Sequence, residues 1–306
     1  MRVFLAFDTS SDHLALGLGD LDAPGAVVAA ADFPAPRAAN TVVLGAAERL
    51  LAGAGAAPRD LCAVAIGRGP GSFTGVRIGA ATAKGLAHGL GVPLVGFGTL
   101  DAVAERAMVA IGRAAQPGAL IGVLGDAMRG EVYPALFRLA AAAGSGRPVP
   151  RRLTGDRVVR PAEIAAEWAA LGEPVTITGG ALLKHREIFA ATLGDAARFL
   201  PRAQWSPDGG SLIAAAWRAA GPLTLATIEG LEPAEAFRAA HPAVLLPIYT
   251  RLADAEEAER LRLGAPHVLR ANGVAGPEPS GASGAVGADA GTPGADAAAP
   301  SPGGAR

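Results

Sequence analysis

Two aspartates each close an apolar run. Asp8 ends "RVFLAFD" ahead of the polar turn "TSSDH", and Asp126 ends "ALIGVLGD" ahead of "AMRG". Carboxylates at such strand ends commonly face a cleft, where they serve phosphate, metal or proton chemistry. Between them lies "CAVAIGRGPGSFTGVRIGAATAKGLAHGLGVPLVGFG", Cys62 to Gly98, an apolar run that breaks into Gly67, Gly69, Pro70 and Gly71 before a small-residue helix. Glycines permit φ > 0 and close backbone approach. A helix N-terminus offers free N–H groups to an anion.

The familiar phosphate and nucleophile patterns are not met. No Gly-Lys-Ser/Thr follows the glycines, so this is not a P-loop. Gly69-Pro70-Gly71-Ser72-Phe73-Thr74 places threonine where a dinucleotide fingerprint needs its last glycine. Ser72 lacks glycines two residues to either side, which excludes a nucleophile elbow. Ser72 or Thr74 can instead cap the following helix internally. In that helix Gly75, Gly79, Ala80, Ala83 and Ala87 recur at three-to-four spacing. Such a stripe fits packing on the chain's own sheet or on another chain, and the pattern does not separate the two.

Elsewhere the sites are poorly furnished. "FDTSS" has no glycine to admit a phosphate, and Met128 and Arg129 crowd the turn after Asp126. "TGG", Thr178 to Gly180, fits either an adenosine contact or a strand-to-helix turn. His13, His88, His185, His241 and His267 are scattered, with no pair at i, i+4, so no metal site is expected. His88 suits the C-terminal dipole of its helix.

The elements that must position these groups read as a repeated order. "RVFLAFD", "LALGLGD" and "AVVAAADF" are strands; "NTVVLGAAERLLAGAG" is a helix capped by Asn40 or Thr41 and stopped at Gly53 or Gly55. "LCAVAIG" is a buried strand, then come the helix from Thr74, the strand "PLVGFG" and the helix "TLDAVAERAMVAIG". The second half gives strands "ALIGVLGDA" and "GEVYPALFRLAA", an irregular "RPVPRRLTGDRVV", and a helix opened by Pro161. Strand "PVTITGG", helix "ALLKHREIFAATLG", strand "ARFL" and helix "GGSLIAAAWRAAG" complete it. A duplicated mixed α/β unit in two lobes follows: residues 1–115, then 116–269 with the C-terminal elements. Residues 270–306, rich in Gly, Ala and Pro, cannot bury enough surface to order and are expected to form a disordered tail.

Composition narrows the function. The 306 residues carry 27 Lys and Arg against 28 Asp and Glu, a net charge of −1. A protein that grips nucleic acid alone usually carries a basic excess. The single cysteine, Cys62, excludes an internal disulfide and a cysteine-based zinc site. "MRVFLAFDTSS" turns polar too early for a signal peptide, and no apolar run reaches the about 18 residues of a membrane span. A cytoplasmic protein without membrane contact is expected.

"FDTSS", "GRGPGSFTGVRIGAATAKGLAHGLGVPLVGFGTLDAVA", "DAMRGEVYPALF" and "LLPIYTR" together resemble the TsaB, or YeaZ, family of bacterial tRNA threonylcarbamoyladenosine biosynthesis proteins. The resemblance spans Met1 to about Leu269. It implies a two-lobed actin-like, Hsp70-type fold (the ASKHA class, RNase H-like). It also implies a non-catalytic partner of TsaD, the subunit that transfers threonylcarbamoyl to N6 of adenosine 37 in ANN-decoding tRNAs. The ATPase TsaE joins through the TsaB–TsaD complex, and tRNA is met only there. ATP and metal are expected on the partner subunits, with no catalytic, cofactor or metal residue in this chain. A homodimer is expected when TsaD is absent. The implied partner interface matches Val43, Ala47 and Leu50 on the first helix and Gly75, Arg77, Ile78, Gly79, Thr82, Ala83 and Leu86 on the second. Gly69, Pro70, Gly71, Ser72, Phe73 and Thr74 match the signature loop. "PRAANTVV" departs from the family, which commonly has a histidine there, and "AAGPLTLATIEGLEPAEAFRAA" and the tail exceed a minimal member. The alternatives are an M22-type peptidase, for which neither a nucleophile–base pair nor metal ligands are evident, and a kinase of the same fold, against which the crowded loops argue.

Overall fold

A computed structural model describes residues 1–36, 38–141, 147–220, 245–249 and 262. The expected tail at 270–306 and most of the stretch after residue 220 lie outside the described residues.

Chain order gives β1 (Val3–Asp8), β2 (His13–Asp20), β3 (Val27–Pro34), α1 (Ala39–Gly53), β4 (Leu61–Gly67), α2 (Phe73–Leu90), β5 (Leu94–Phe97) and α3 (Thr99–Ile111). The second half repeats it with β6 (Leu120–Asp126), β7 (Val132–Ala140), β8 (Val149–Arg152), α4 (Pro161–Ala169), β9 (Val175–Thr178), α5 (Leu182–Leu193), β10 (Ala197–Phe199) and α6 (Gly209–Ala220). The first sheet runs β3-β2-β1-β4-β5 and the second β8-β7-β6-β9-β10, the same order by position in each half. The first two pairings, β1 with β2 and β2 with β3, are antiparallel, and β1 with β4 and β4 with β5 are parallel. The second sheet repeats these directions. The architecture is a two-lobed, duplicated actin-like fold.

Central position explains the sequence texture. All six residues of β1 are buried because both faces carry helices, so the strand reads as one apolar run rather than an alternation. The irregular "RPVPRRLTGDRVV" contains β8, whose Arg152 lies opposite Phe137 of β7. It escapes a strand reading because prolines and arginines fill an edge position. Helix α1 starts behind Ala38, not behind an Asn40 or Thr41 cap; the Thr41 hydroxyl donates back to the Ala38 carbonyl at 2.9 Å.

Each lobe's third helix crosses to the other sheet. Leu100, Val103, Ala107 and Met108 of α3 pack with Ile121, Tyr133 and Phe137 of the second sheet. Leu212, Ile213 and Ala216 of α6 pack with Phe4, Ala63 and Phe97 of the first. Ala102 of α3 also joins the cluster of Phe4, Ala63 and Phe97, so the two halves share packing through this helix. The two crossing helices are tied together by Arg218, whose Nε donates to Glu105 at 2.6 Å. Everything described lies inside one unit, Met1–Asn272.

Candidate functional site

Asp8, Thr9 and Ser10 leave the end of β1 beside the loop that follows β4, and all three are buried. Asp8 Oδ1 accepts from the Ser10 N–H at 2.8 Å and from its hydroxyl at 2.7 Å. Oδ2 accepts from the Thr99 hydroxyl at 2.5 Å. That same Thr99 oxygen accepts from the Gly69 N–H at 3.1 Å, while the Thr99 N–H donates to the Gly69 carbonyl at 2.8 Å. One carboxylate thus joins the β1 turn to the start of α3, and Thr99 carries the connection to the signature loop. A buried carboxylate is tolerated when its lone pairs are satisfied by donors, and here three donors do so.

The loop is closed by its own chain. Ser72 N donates to the Ser10 carbonyl at 2.6 Å. Its hydroxyl accepts from Gly75 N at 3.3 Å, so Ser72, rather than Thr74, is the cap of α2. Three N–H groups that a phosphate would want are therefore committed internally. A side chain at Gly67 would put its Cβ 1.8 Å from Asp8 Oδ2. The glycine makes room for the carboxylate, not for a ligand.

The small-residue stripe has the same cause. The Thr9 hydroxyl donates to the Gly75 carbonyl at 2.7 Å. A Cβ on Gly79 would meet Thr9 Oγ1 at 2.3 Å. Ala83 and Ala87 sit in the first-lobe core with Val43, Ala47 and Leu50. Of the expected interface residues, Val43, Ala47, Leu50, Gly79 and Ala83 are buried within their own lobe. Arg77 is exposed, and Gly75, Ile78, Thr82 and Leu86 are half-buried. The outer surface of the two helices is carried instead by Leu44, 49% exposed, with Glu48, Ala81 and Gly85. Leu44 falls within the apolar spacing of α1 yet points away from the core; only the direction of its neighbours' burial reveals this. In the signature loop Gly69 and Pro70 are buried, Gly71 is half-buried, and Ser72, Phe73 and Thr74 are exposed.

A distant segment seals the loop from the other side. Leu245 is buried in the first-lobe core. Arg68 Nε donates to the Leu246 carbonyl at 2.6 Å, and Ile248 N donates to the Arg68 carbonyl at 2.8 Å. Burial pushes the Arg68 guanidinium below its ordinary value, with Asp156 opposing.

In the second lobe Asp126 is neutralised locally. Lys184 Nζ donates to its Oδ2 at 2.6 Å and the Met128 N–H to its Oδ1 at 2.9 Å. Met128 and Arg129 have φ of 61° and 51°, a left-handed conformation that costs L-residues energy. "TGG" is a structural turn: Thr178 donates its hydroxyl to Gln204, and a Cβ on Gly179 would strike the Leu124 carbonyl at 2.3 Å. Asp101 is raised by burial while Arg152, which it accepts from at 3.2 Å, opposes. Among the described residues no three His, Cys, Asp or Glu side chains group as metal ligands, and no helix is long and apolar enough to cross a membrane. His13 faces Asp32 at 3.1 Å. His241 and His267 lie outside the described residues.

Comparison with known proteins gives consistent matches. The family model described as "TsaD: tRNA N6-adenosine threonylcarbamoyltransferase" matches residues 34–258. The tRNA threonylcarbamoyladenosine biosynthesis protein TsaB of Escherichia coli is 37% identical over 138 residues, 45% of this chain and 55% of that protein. TsaB of Bacillus subtilis is 29% identical over 204 residues, 65% of this chain and 74% of its own. The chain thus spans little more than half the length of the first relative. The solved structure of YeaZ from Pseudomonas aeruginosa is 26% identical and superposes with a TM-score of 0.59, covering 81% of this chain and all of that one.

Proposed function

This chain belongs to the TsaB/YeaZ family, and we propose that it acts in forming threonylcarbamoyladenosine on tRNA as a non-catalytic partner of TsaD. The carrying observation is the closed loop. The place where an actin-like protein would receive a phosphate is filled by Asp8, Ser10 and Thr99, hydrogen-bonded to one another and to the loop. A loop whose donors are committed to its own chain fits a scaffold better than an enzyme.

In this reading the chain supplies shape. The outer face of α1 and α2, with Leu44, Ala81 and Gly85 exposed, docks TsaD. Small exposed residues let a partner backbone approach closely. The same face pairs two copies when TsaD is absent. TsaE joins the assembled pair, tRNA is held only by the complex, and ATP and metal sit on the other subunits. Among the described residues neither Asp8 nor Asp126 belongs to a group of three His, Cys, Asp or Glu side chains. The cytoplasm is where such a complex works.

Reconstitution tests this. TsaD, TsaE, the enzyme that makes the activated threonylcarbamoyl donor, ATP and an ANN-decoding tRNA are combined with and without this chain. Modified adenosine should form only with it. Product formed equally without the chain, or by the chain without TsaD, overturns the proposal.

A further inference from the structure

Three side chains from segments 172 positions apart meet at the signature loop. The Arg77 guanidinium lies over the Phe73 ring, its Cζ 3.7 Å from the centre. Its Nε donates to the Tyr249 hydroxyl at 3.1 Å. The two rings stand 5.6 Å apart, tilted against each other. Phe73 and Arg77 are one helical turn apart, and Arg77 leans towards the helix N-terminus as helical side chains do. Tyr249 arrives from the segment anchored by Leu245 and by the Arg68 carbonyl.

The arrangement fixes an exposed arginine without using its fork. Among the described residues only Nε is hydrogen-bonded, and no carboxylate pairs with Arg77. Its two terminal nitrogens are left without a partner among the described residues, with the Phe73 ring on one side of the group and the Tyr249 hydroxyl at Nε. A flat, pre-ordered pair of N–H donors matches a carboxylate bidentately. Arginine and tyrosine with a supporting aromatic are also the residues that dominate protein–protein binding energy.

We infer that Arg77, stacked on Phe73 and oriented by Tyr249, is a receptor for one carboxylate side chain of the docked partner protein. The inference rests on the proposed docking of TsaD and names its polar anchor. A single cation framed by two rings, in a chain of net charge −1, is not a nucleic-acid footprint, which needs several cations along a track. Tyr249 is a positioning residue: it acts by holding Arg77.

The test measures binding of cognate TsaD to the full chain and to Arg77→Gln, Arg77→Lys and Tyr249→Phe, at low and high salt, with melting temperatures for each. Arg77→Gln should weaken TsaD by at least about tenfold, with the deficit shrinking at high salt as charge pairing is screened. Arg77→Lys keeps the charge but not the fork and should remain several-fold weaker than wild type. Tyr249→Phe should cost roughly threefold. If Arg77→Gln lowers the melting temperature, Arg77→Lys carries the test. Wild-type binding that survives both Arg77 variants overturns the inference and leaves the proposed function standing. A wild-type chain that fails to bind TsaD removes both. Loss of self-association with TsaD affinity intact makes a second copy the occupant. Loss of tRNA affinity by the complex, with TsaD affinity intact, makes it a phosphate site. Either outcome rejects the partner carboxylate.

Discussion

Thr99 donates its hydroxyl hydrogen to Asp8 across ninety-one positions of sequence, at 2.5 Å and out of reach of solvent. Both hydrogen-bonding roles of Thr99 are used, since it also receives the Gly69 N–H. Removing it leaves two buried groups unpaired at once. Thr99→Val should therefore destabilise the protein by about 2–4 kcal/mol, the cost of one lost donor and one orphaned N–H. Asp8→Asn, which can still accept from Ser10 through its carbonyl, should cost less. Urea denaturation of both variants measures it. Equal stability of Thr99→Val and wild type would show that the network contributes nothing.

Helix α2 separates packing from docking along its own faces. Leucine at Gly79 must displace Thr9, and at Ala83 it must enter a full core. Each should lower stability by about 1–3 kcal/mol or more. A Cβ at Gly85 meets nothing within 4 Å, so leucine there should leave the melting temperature in place while reducing TsaD binding. The informative contrast is between the two faces. A Gly85→Leu variant that binds TsaD normally would remove this helix from the interface.

Much of this was legible in the sequence. The duplicated element order follows from apolar runs punctuated by glycine and proline, and an internal cap at Ser72 or Thr74 from hydroxyls at a helix start. Three things were not. Gly79 and Ala83 read equally as an interface, because a small residue marks close approach without saying whose backbone approaches. Leu44 shares the apolar spacing of α1 but faces outward, since amphipathic period marks a stripe whose edges are set by neighbouring elements. The crossing of α3 and α6 lies beyond local pattern altogether: each helix carries an apolar face suited to either sheet, and chain connectivity decides which sheet receives it.

Glu105 gives a pH-dependent signature. Burial in the α3–α6 contact raises its carboxyl, and Arg218 opposes without cancelling the effect. A carboxyl raised in the fold favours the protonated, acid form there. Its contribution to stability is greatest below the ordinary glutamate value and is lost as pH rises through the folded value. Glu105→Gln has no such loss. The stability of the variant relative to wild type should therefore rise between acid pH and neutrality, followed by urea denaturation at each pH. A difference that is flat, or falls with pH, contradicts a raised Glu105.

The turn after Asp126 stores conformational cost that substitution can release. Met128 holds φ of 61° and is 62% exposed, so little packing compensates for the left-handed backbone. Its N–H bond to Asp126 does not depend on the side chain. Glycine adopts that conformation freely, at the expense of a more flexible unfolded chain. Met128→Gly should thus stabilise the protein by about 0.5–1 kcal/mol, whereas Met128→Val, branched at Cβ, should destabilise it by about 1–2 kcal/mol. Thermal unfolding of the pair reads the difference, and the opposite order would refute the strain. The same variants also separate strain from use. If Met128→Gly is more stable and supports tRNA modification fully, the turn serves only to close β6 onto β7. If stability rises while modification falls, the exposed methionine is part of a working surface of the complex.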